Sequence, residues 1–121
     1  MQTIVVITTD SIWKQALQAG EYTQSTIDST LSEVGFIHCT IPEQTITIAN
    51  RHFSDKTGLI LVLIDKSKVT SEVKFEASLS GRPGLYPHIY GPLNINAAYA
   101  ILPLEKDASG QFIEPEELKT S

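Results

Sequence analysis

The sequence predicts a single α+β domain with about six strands and two to three helices. Apolar and β-branched runs of strand length recur along the chain, and segments with the three- or four-residue spacing of an amphipathic helix lie between them. The chain has 121 residues, of which 41% are hydrophobic and 19% are charged. That length is sufficient to bury one core, and we find no repeat or linker that would divide the chain.

The first half of the chain alternates predicted strands and helices. Residues 3–8 are a β-branched run typical of a strand. Asp10 is a suitable N-cap for a helix that ends at Gly20. A short second helix is predicted over residues 25–33, and the second strand over residues 36–41.

A third helix is predicted directly after the second strand. Pro42 is tolerated in a first helical turn, and Thr40 and Glu43 have the spacing of a capping box. Helical spacing divides the side chains that follow into a predicted core face, formed by Ile46, Ala49 and Phe53, and an opposite face, formed by Gln44, Ile48 and Arg51.

The second half of the chain is predicted to consist mainly of strands. Residues 58–65 are apolar enough for a central strand covered on both faces. Residues 72–77 alternate apolar and charged side chains, which predicts a half-buried strand with Glu76 on its polar face. Residues 78–87 hold two glycines and two prolines and predict a long loop, before a short strand over residues 88–91.

The C-terminal region is predicted to end the sheet and then lose regular structure. Residues 94–98 are long enough for one helical turn, and residues 99–105 predict a last strand in which Pro103 lies near an edge. A turn is expected at residues 107–110, and Phe112 is expected to dock on the body. We expect the acidic tail, from about residue 114, to be loose.

Charge and composition exclude several classes of function. The net charge is −5, and lysine and arginine form no cluster, which argues against binding of duplex nucleic acid through its phosphates. Only two arginines, Arg51 and Arg82, are present, so an anionic ligand must rely on one of them, on a helix N-terminus or on a local lysine. The longest apolar run, residues 59–64, is too short to span a membrane. A single cysteine and the lack of basic residues before the first apolar run predict a cytoplasmic protein without a secretory signal.

Two short motifs carry the chemistry-bearing residues. His38 and His88 each lie in a strand-like run beside a glycine, and each is two residues from a hydroxyl side chain, Thr40 or Tyr90. Because residues two apart on a strand share a face, each run has a polar face and an apolar face. Two such strands predict a shared polar pocket. The alternative is that both histidines are packed or exposed sheet residues with no chemical role.

Other arrangements fit the sequence less well. Cys39 is adjacent to His38 and therefore points to the opposite, apolar face, which argues against a catalytic Cys–His pair. The carboxylates show no metal-ligand spacing, so we expect no metal site. His52 lies away from the apolar stripe of its helix and is expected to be solvated. The candidate residues that remain are the catalytic candidates His38, Glu76 and His88 and the ligand-binding candidates Thr40, Gln44, Arg51 and Tyr90.

These residues belong to a pattern that resembles a known family. From the first helix to about residue 104, the chain is similar to a small bacterial family catalogued as domain of unknown function 952. The similarity rests on Trp13, Gly20 to Tyr22, the run EVGFIHC at residues 33–39, Gln44, Ala49, Asn50, Phe53, the strand at 59–65, Glu76, and the run PHIYGPL at residues 87–93.

The resemblance implies a fold similar to the ADP-ribosyltransferases, with two split antiparallel sheets and a cleft for NAD between them. It implies that His38 holds a ribose, that Tyr90 is an aromatic platform for nicotinamide, and that Glu76 is the carboxylate near the 2′-hydroxyl. The RNA 2′-phosphotransferases of this fold use several arginines, whereas this chain has two. Fold analogy does not by itself establish an activity.

Three hypotheses of function follow. The first is an enzyme that transfers or cleaves NAD or an ADP-ribose-like nucleotide in a cleft lined by His38, Glu76, His88 and Tyr90. The second is a small-molecule-binding protein with the same pocket and no turnover. The third is a protein-interaction module whose histidines are only packed. The long loop at residues 78–87 favours the first two.

Overall fold

The computed structural model describes residues 1–78 and 81–120, and these form an α+β fold with three antiparallel sheets. In chain order the elements are β1 (Thr3–Thr9), α1 (Asp10–Ala19), β2 (Glu21–Tyr22), α2 (Leu31–Val34), β3 (Ile37–His38), α3 (Pro42–His52), β4 (Leu59–Asp65), β5 (Glu72–Ala77), β6 (Leu85–Tyr90), β7 (Leu93–Asn94), β8 (Ala98–Leu104) and α4 (Glu116–Lys119). Short 3₁₀ turns lie at Lys66–Lys68 and Ile95–Ala97. No helix in the described ranges is long and apolar enough to cross a membrane.

The first sheet has the order β1-β4-β8, and β4 is its central strand, as predicted. Alternate side chains of β1 and β4 enter two separate apolar clusters, because successive residues of a strand point to opposite faces. One cluster holds Trp13 and Ala16 of α1, and the other holds Ile48 and Ala49 of α3 together with Leu118 of α4. The first sheet is therefore covered on both faces.

The third sheet has the order β3-β6-β5 and is joined to the first by a backbone bridge. The amide of Val5 donates to the Thr40 carbonyl (2.7 Å) and the amide of Thr40 donates to the Val5 carbonyl (2.8 Å). In β6, Ile89 is fully buried in the apolar cluster that α1 covers, and its register partner Ile37 is buried beside it. The opposite face of this sheet carries the polar residues. β2 and β7 form a separate two-stranded sheet.

The helices begin and end close to their predicted positions, with three corrections. Thr9, and not Asp10, is the N-cap of α1, since its hydroxyl accepts a hydrogen bond from the Ile12 amide (3.2 Å). The predicted helix at residues 25–33 is wrong over most of its length, because only Leu31–Val34 is helical, after a capping box formed by Thr30. The residues before Thr30 form a turn in which the Ser25 amide donates to the Ser29 carbonyl (2.9 Å).

The third correction concerns α3. The predicted capping box of Thr40 and Glu43 does not form. Ile41 is the N-cap, and its amide donates to Gln44 Oε1 at 3.2 Å. Ile48, predicted on the outer face, is buried against the first sheet. The predicted core residues Ala49, Ile46 and Phe53 do contact the same apolar cluster, so the buried face of the helix is wider than predicted and includes Ile48.

The predicted loop at residues 78–87 is shorter than expected, because β6 begins at Leu85. Part of that prediction, residues 79–80, lies outside the described residues. Pro87 is accommodated inside β6, where its carbonyl accepts from the Cys39 amide (3.1 Å). Phe75, expected on the buried face of its strand, is 37% exposed because β5 is an edge strand.

The C-terminal segment packs more closely than its acidic composition predicts. The 3₁₀ turn at Ile95–Ala97 confirms the predicted helical turn, and Pro103 lies on the edge strand β8. Phe112 docks as predicted: it is buried, and its amide donates to Asn50 Oδ1 at 2.8 Å. Leu118 of α4 is 1% exposed within the cluster under α3, so this part of the tail packs on the body.

Candidate functional site

A cavity of about 360 Å³ lies between the first and third sheets, beneath the C-terminal half of α3. Its apolar wall is formed by Val5 and Ile7 of β1 with Ile48 and Phe53. The polar side chains that line it are Ser25, Thr26, Asp28, His38, Thr40, His52, Ser78, Arg82, Tyr86 and His88. An apolar cavity of this volume with a few converging polar groups is typical of a small-ligand site.

His38 and His88 are brought together by strand pairing. They are register partners in β3 and β6, so their side chains share the polar face of the third sheet. The ring centroids are 5.6 Å apart. Phe36 lies against both, with its ring stacked on His88 at 4.1 Å and tilted against His38 at 4.8 Å. The predicted polar face of the two motifs is therefore present, and Phe36 holds its two imidazoles in place.

Ser25 determines which nitrogen of His38 carries the proton. The Ser25 hydroxyl donates its one hydrogen to the Phe36 carbonyl (2.5 Å), and its oxygen is 2.9 Å from His38 Nδ1. With its hydrogen committed, Ser25 can only accept from the ring, so Nδ1 bears the hydrogen. His38 Nε2 is then the unprotonated nitrogen of the neutral ring, and the ring lines the cavity.

His88 is held by a carboxylate instead. Its Nδ1 is 2.9 Å from Glu76 Oε1, and the Tyr90 hydroxyl donates to the same oxygen at 2.5 Å. An ionised carboxylate only accepts, so His88 Nδ1 is also a donor. These hydrogen bonds from Tyr90 and from His88 lower the pKa of Glu76, and the bond to Glu76 raises the pKa of Tyr90. His88 is 2% exposed, and Glu76 lies behind it toward solvent.

The surroundings of the two histidines differ in charge. Burial lowers the pKa of His38, and the neighbouring His88 and Arg82 lower it further. His38 faces a neutral hydroxyl, whereas His88 faces an ionised carboxylate that can balance a positive charge on its ring. His38 is therefore the ring that the site keeps neutral.

Arg82 places a permanent positive charge at the cavity. Its Nη1 is 2.6 Å from His52 Nε2, and its guanidinium lies 4.9 Å from the centroid of the Tyr86 ring. Because arginine only donates, His52 Nε2 accepts and the His52 ring is neutral. Burial, followed by the charges of Arg82 and Arg51, lowers the pKa of His52. The prediction that His52 is exposed is confirmed, but its contact with Arg82 was not foreseen.

The structure separates the seven predicted site residues into three groups. His38, Thr40 and His88 line the cavity, and the Thr40 hydroxyl contacts Thr45 Oγ1 at 2.8 Å. Glu76 and Tyr90 do not line the cavity. Glu76 is hydrogen-bonded to His88, which does, and Tyr90 is hydrogen-bonded to Glu76. Two others lie apart from it: Gln44, which closes the start of α3 and donates to the Leu85 carbonyl (2.9 Å), and Arg51, which is exposed.

Sequence reasoning missed several lining residues. Ser25, Asp28 and Arg82 lie in turns and loops, where no periodicity assigns a side chain to a face. Tyr86 was placed in a loop and is instead in β6, two residues before His88 and thus on the same face. Arg82 was named as one of only two arginines available to an anion, but it was not among the predicted site residues. Cys39 is buried among apolar residues as predicted, and burial raises the pKa of its thiol.

No metal centre is evident: within residues 1–78 and 81–120, no three histidine, cysteine, aspartate or glutamate side chains converge as ligands. The cavity offers three imidazoles, one guanidinium, the carboxylate of Asp28 and several hydroxyls. Such a set suits proton transfer and the binding of hydroxyl and anionic groups.

Comparison with known proteins identifies relatives of unknown function. Residues 7–101 match the model of a protein family described as a protein of unknown function, DUF952. No curated protein matches. The crystal structure of protein CC0527 from Caulobacter crescentus is 28% identical, covers 97% of this chain and 98% of its own, and has a TM-score of 0.80. The solution NMR structure of CC0527 is 29% identical, with coverage of 92% and 91% and a TM-score of 0.74. The chain therefore belongs to the DUF952 family.

Proposed function

We propose that the cavity binds a nucleotide-type ligand, with NAD and ADP-ribose as the first compounds to test. One observation carries the proposal: His38 and His88, held in register with their Nδ1 atoms bonded inside the protein, line the same cavity as Arg82. Ribose hydroxyls need hydrogen-bonding partners such as the imidazole Nε2 atoms. A phosphate needs a cation, and arginine is well suited to bind it.

The aromatic and apolar parts of the cavity complement a base or a nicotinamide ring. Phe53 and the buried ring of Tyr86 both line it. Tyr90 was the platform implied by resemblance to the ADP-ribosyltransferases, but its hydroxyl is bonded to Glu76 away from the cavity. Tyr86 takes this role in our proposal. A cleft between two three-stranded antiparallel sheets is also what that resemblance implies, and it supports a ligand of the NAD type.

A second candidate is binding of the same ligand without turnover. It is favoured by the position of Glu76, whose Oε1 is bonded to His88 and Tyr90. A carboxylate behind an imidazole is not in direct reach of a ribose 2′-hydroxyl, as ribosyl transfer from NAD would need. In both candidates we place the protein in the cytoplasm, since its one cysteine is a buried free thiol.

The test is a thermal-shift titration with NAD, ADP-ribose, AMP and nicotinamide. A ligand present at a hundred times its Kd stabilises a protein by about 2.7 kcal/mol, which raises the Tm of a domain of this size by several degrees. We expect a shift with at least one nucleotide that is reduced in Arg82→Ala and in His38→Ala.

The exposed Arg51 supplies a matched comparison, because Arg51→Ala removes the same charge outside the cavity. We expect this variant to retain the shift. No shift with any nucleotide at millimolar concentration would overturn the proposal, and equal losses in the two arginine variants would place binding elsewhere.

A further inference from the structure

We propose that His38 and His88 are an acid–base pair that cleaves a phosphate ester of the bound ribonucleotide, with His38 as the base and His88 as the acid. This inference rests on the proposed nucleotide site and names the reaction that its geometry supports. The substrate class is a ribonucleotide phosphodiester or cyclic phosphate, in which the leaving oxygen must gain a proton.

Each of the two imidazoles has one ring nitrogen, Nε2, left for a ligand. Ser25 and Glu76 occupy the Nδ1 atoms of the two rings, and both rings line the cavity. The Nε2 atoms therefore carry any proton exchanged with a ligand. A ring-centroid separation of 5.6 Å allows one tetrahedral group to contact both imidazoles.

The two rings differ in their electrostatic surroundings. His38 is kept neutral by burial and by the positive charge nearby, so its Nε2 lone pair is available as a base. His88 is backed by the ionised Glu76, which compensates for the charge of an imidazolium. Pairs of titratable groups whose environments differ in this way are the usual acid and base of an active site.

The N-glycosidic bond of NAD and a phosphate ester bond differ in whether their cleavage needs an acid. Nicotinamide leaves NAD as a neutral molecule, because the bonding electrons neutralise its pyridinium nitrogen, so that cleavage requires no acid. An alkoxide leaving a phosphate does require one. The presence of an acid beside the base thus favours a phosphate ester over the N-glycosidic bond of NAD. Arg82, which also lines the cavity, supplies positive charge for the phosphate oxygens.

For a 2′,3′-cyclic phosphate the proposed step balances without a further reagent. A water oxygen forms a bond to phosphorus as its proton moves to His38 Nε2. The phosphorus–oxygen bond to one ribose oxygen breaks, the electron pair stays on that oxygen, and the oxygen takes the proton from His88 Nε2. Proton exchange with solvent restores both rings, and the product is a nucleoside monophosphate. Ser25 and Glu76 act as positioning residues through their Nδ1 partners.

The charged groups around the pair set its pH dependence. Arg82 and His88 face His38, His52 lies beyond Arg82, and Asp28 lines the same cavity. Glu76 contacts His88, and Lys74 is the register partner of His88 in β5. We expect the rate to fall as the pH drops below 6.5, because protonation of His38 removes the base.

The experiment incubates the protein with adenosine 2′,3′-cyclic monophosphate, and separately with NAD, and follows all products by chromatography between pH 4.5 and 9. We expect conversion of the cyclic phosphate to adenosine monophosphate, with at least about a 100-fold loss in His38→Ala and in His88→Gln. Glu76→Gln keeps an acceptor for His88 and removes the charge, so we expect a lower maximal rate while the acid limb, which belongs to His38, does not move.

The outcomes separate this inference from the proposed function. Binding of AMP or ADP-ribose in the thermal-shift titration, without turnover of the cyclic phosphate, overturns the inference and leaves the nucleotide site standing. Release of nicotinamide or of free adenine also overturns it, because the bond cleaved is then glycosidic. An unchanged rate in His38→Ala with native-like circular dichroism assigns the activity to a contaminant and overturns it. A maximal rate in Glu76→Gln equal to that of the parent protein overturns the acid role of His88 backed by Glu76.

Discussion

The two three-stranded sheets are alike in strand number and antiparallel pairing and differ in how their faces are covered. Each has a central strand, β4 or β6, paired on both sides. Both faces of β4 are buried, in two apolar clusters. β6 buries Ile89 on one face and presents His88 on the other, toward the cavity. The two sheets therefore differ because both faces of the first are packed against apolar residues, whereas one face of the third carries polar residues at the cavity.

The largest expected effect is in the first sheet. Leu61 is completely buried in β4, and Leu61→Ala should lower the free energy of unfolding by about 2–5 kcal/mol, because it removes apolar contacts and leaves a cavity. Phe75→Ala in β5 is the comparison in the third sheet and should cost roughly 1–2 kcal/mol, since the side chain is already 37% exposed. Urea unfolding at constant m-value measures both. Equal losses would contradict the difference between the sheets.

The first sheet is predicted well because the residues of β1 and of β4 identify each strand on their own. Apolar and β-branched runs identify the seven-residue strands β1 and β4 without knowledge of their partners. The two-residue strands β2 and β7 were missed, because two residues cannot show a period. They exist only as partners of each other, so tertiary contact determines them.

The third sheet was predictable in part. The two-residue period placed His88 and Tyr90 on one face, and the contact of both with Glu76 confirms this. The pairing of His38 with His88 depends on strand register, which no local pattern of the sequence contains. Ser25 determines the tautomer of His38. The sequence pattern placed Ser25 in a helix, whereas it lies in a turn before the short helix α2.

The next largest expected effect is in the apolar cluster under α3, which covers one face of the first sheet. Leu118 of α4 is packed in the same cluster as Leu61, so Leu118→Ala should destabilise the protein by about 2 kcal/mol. The loss is limited because a four-residue helix can detach locally instead of unfolding the sheet. Hydrogen exchange at the Leu118 amide, which donates to the Pro115 carbonyl, should accelerate in parallel. A stability equal to that of the parent chain would mean that the tail is loose in solution.

The two histidines provide a comparison within the third sheet. His88→Ala should cost about 1–3 kcal/mol, because the ring is buried, stacked on Phe36 and bonded to Glu76. His38→Ala should cost less, since His38 is only half-buried at the cavity wall. Denaturant unfolding of both variants measures the difference. Equal losses, with no nucleotide bound by the parent protein, would support the hypothesis that the histidines are only packed.

The glycines next to the two central strands also differ in the space around their backbone. Gly91, directly after β6, has φ of 151°, and an added Cβ would lie 2.6 Å from Ser71 Oγ. Gly58, directly before β4, has φ of 69° with open space around it. Gly91→Ala should therefore destabilise by about 1–2 kcal/mol, and Gly58→Ala by about 1 kcal/mol from backbone strain alone. Thermal unfolding of the pair is the measurement, and a larger loss in Gly58→Ala would contradict the expected order.

The smallest expected effect is a pH dependence of stability that originates in the third sheet. The pKa of His38 is lower in the folded protein than its ordinary value of 6.5, mainly because of burial. As the pH falls through 6.5 toward the folded pKa, the unfolded chain takes up a proton before the folded protein does, so the free energy of unfolding decreases. His38→Gln should reduce this slope, while the part due to His52, whose pKa is also lowered, remains. Glu76 does not interfere, because its contribution is lost only as the pH falls below its ordinary value of 4.5. Urea unfolding at pH 7.5, 6.5 and 5.5 measures the slope, and identical slopes in the two proteins would show that His38 is not held neutral by the site.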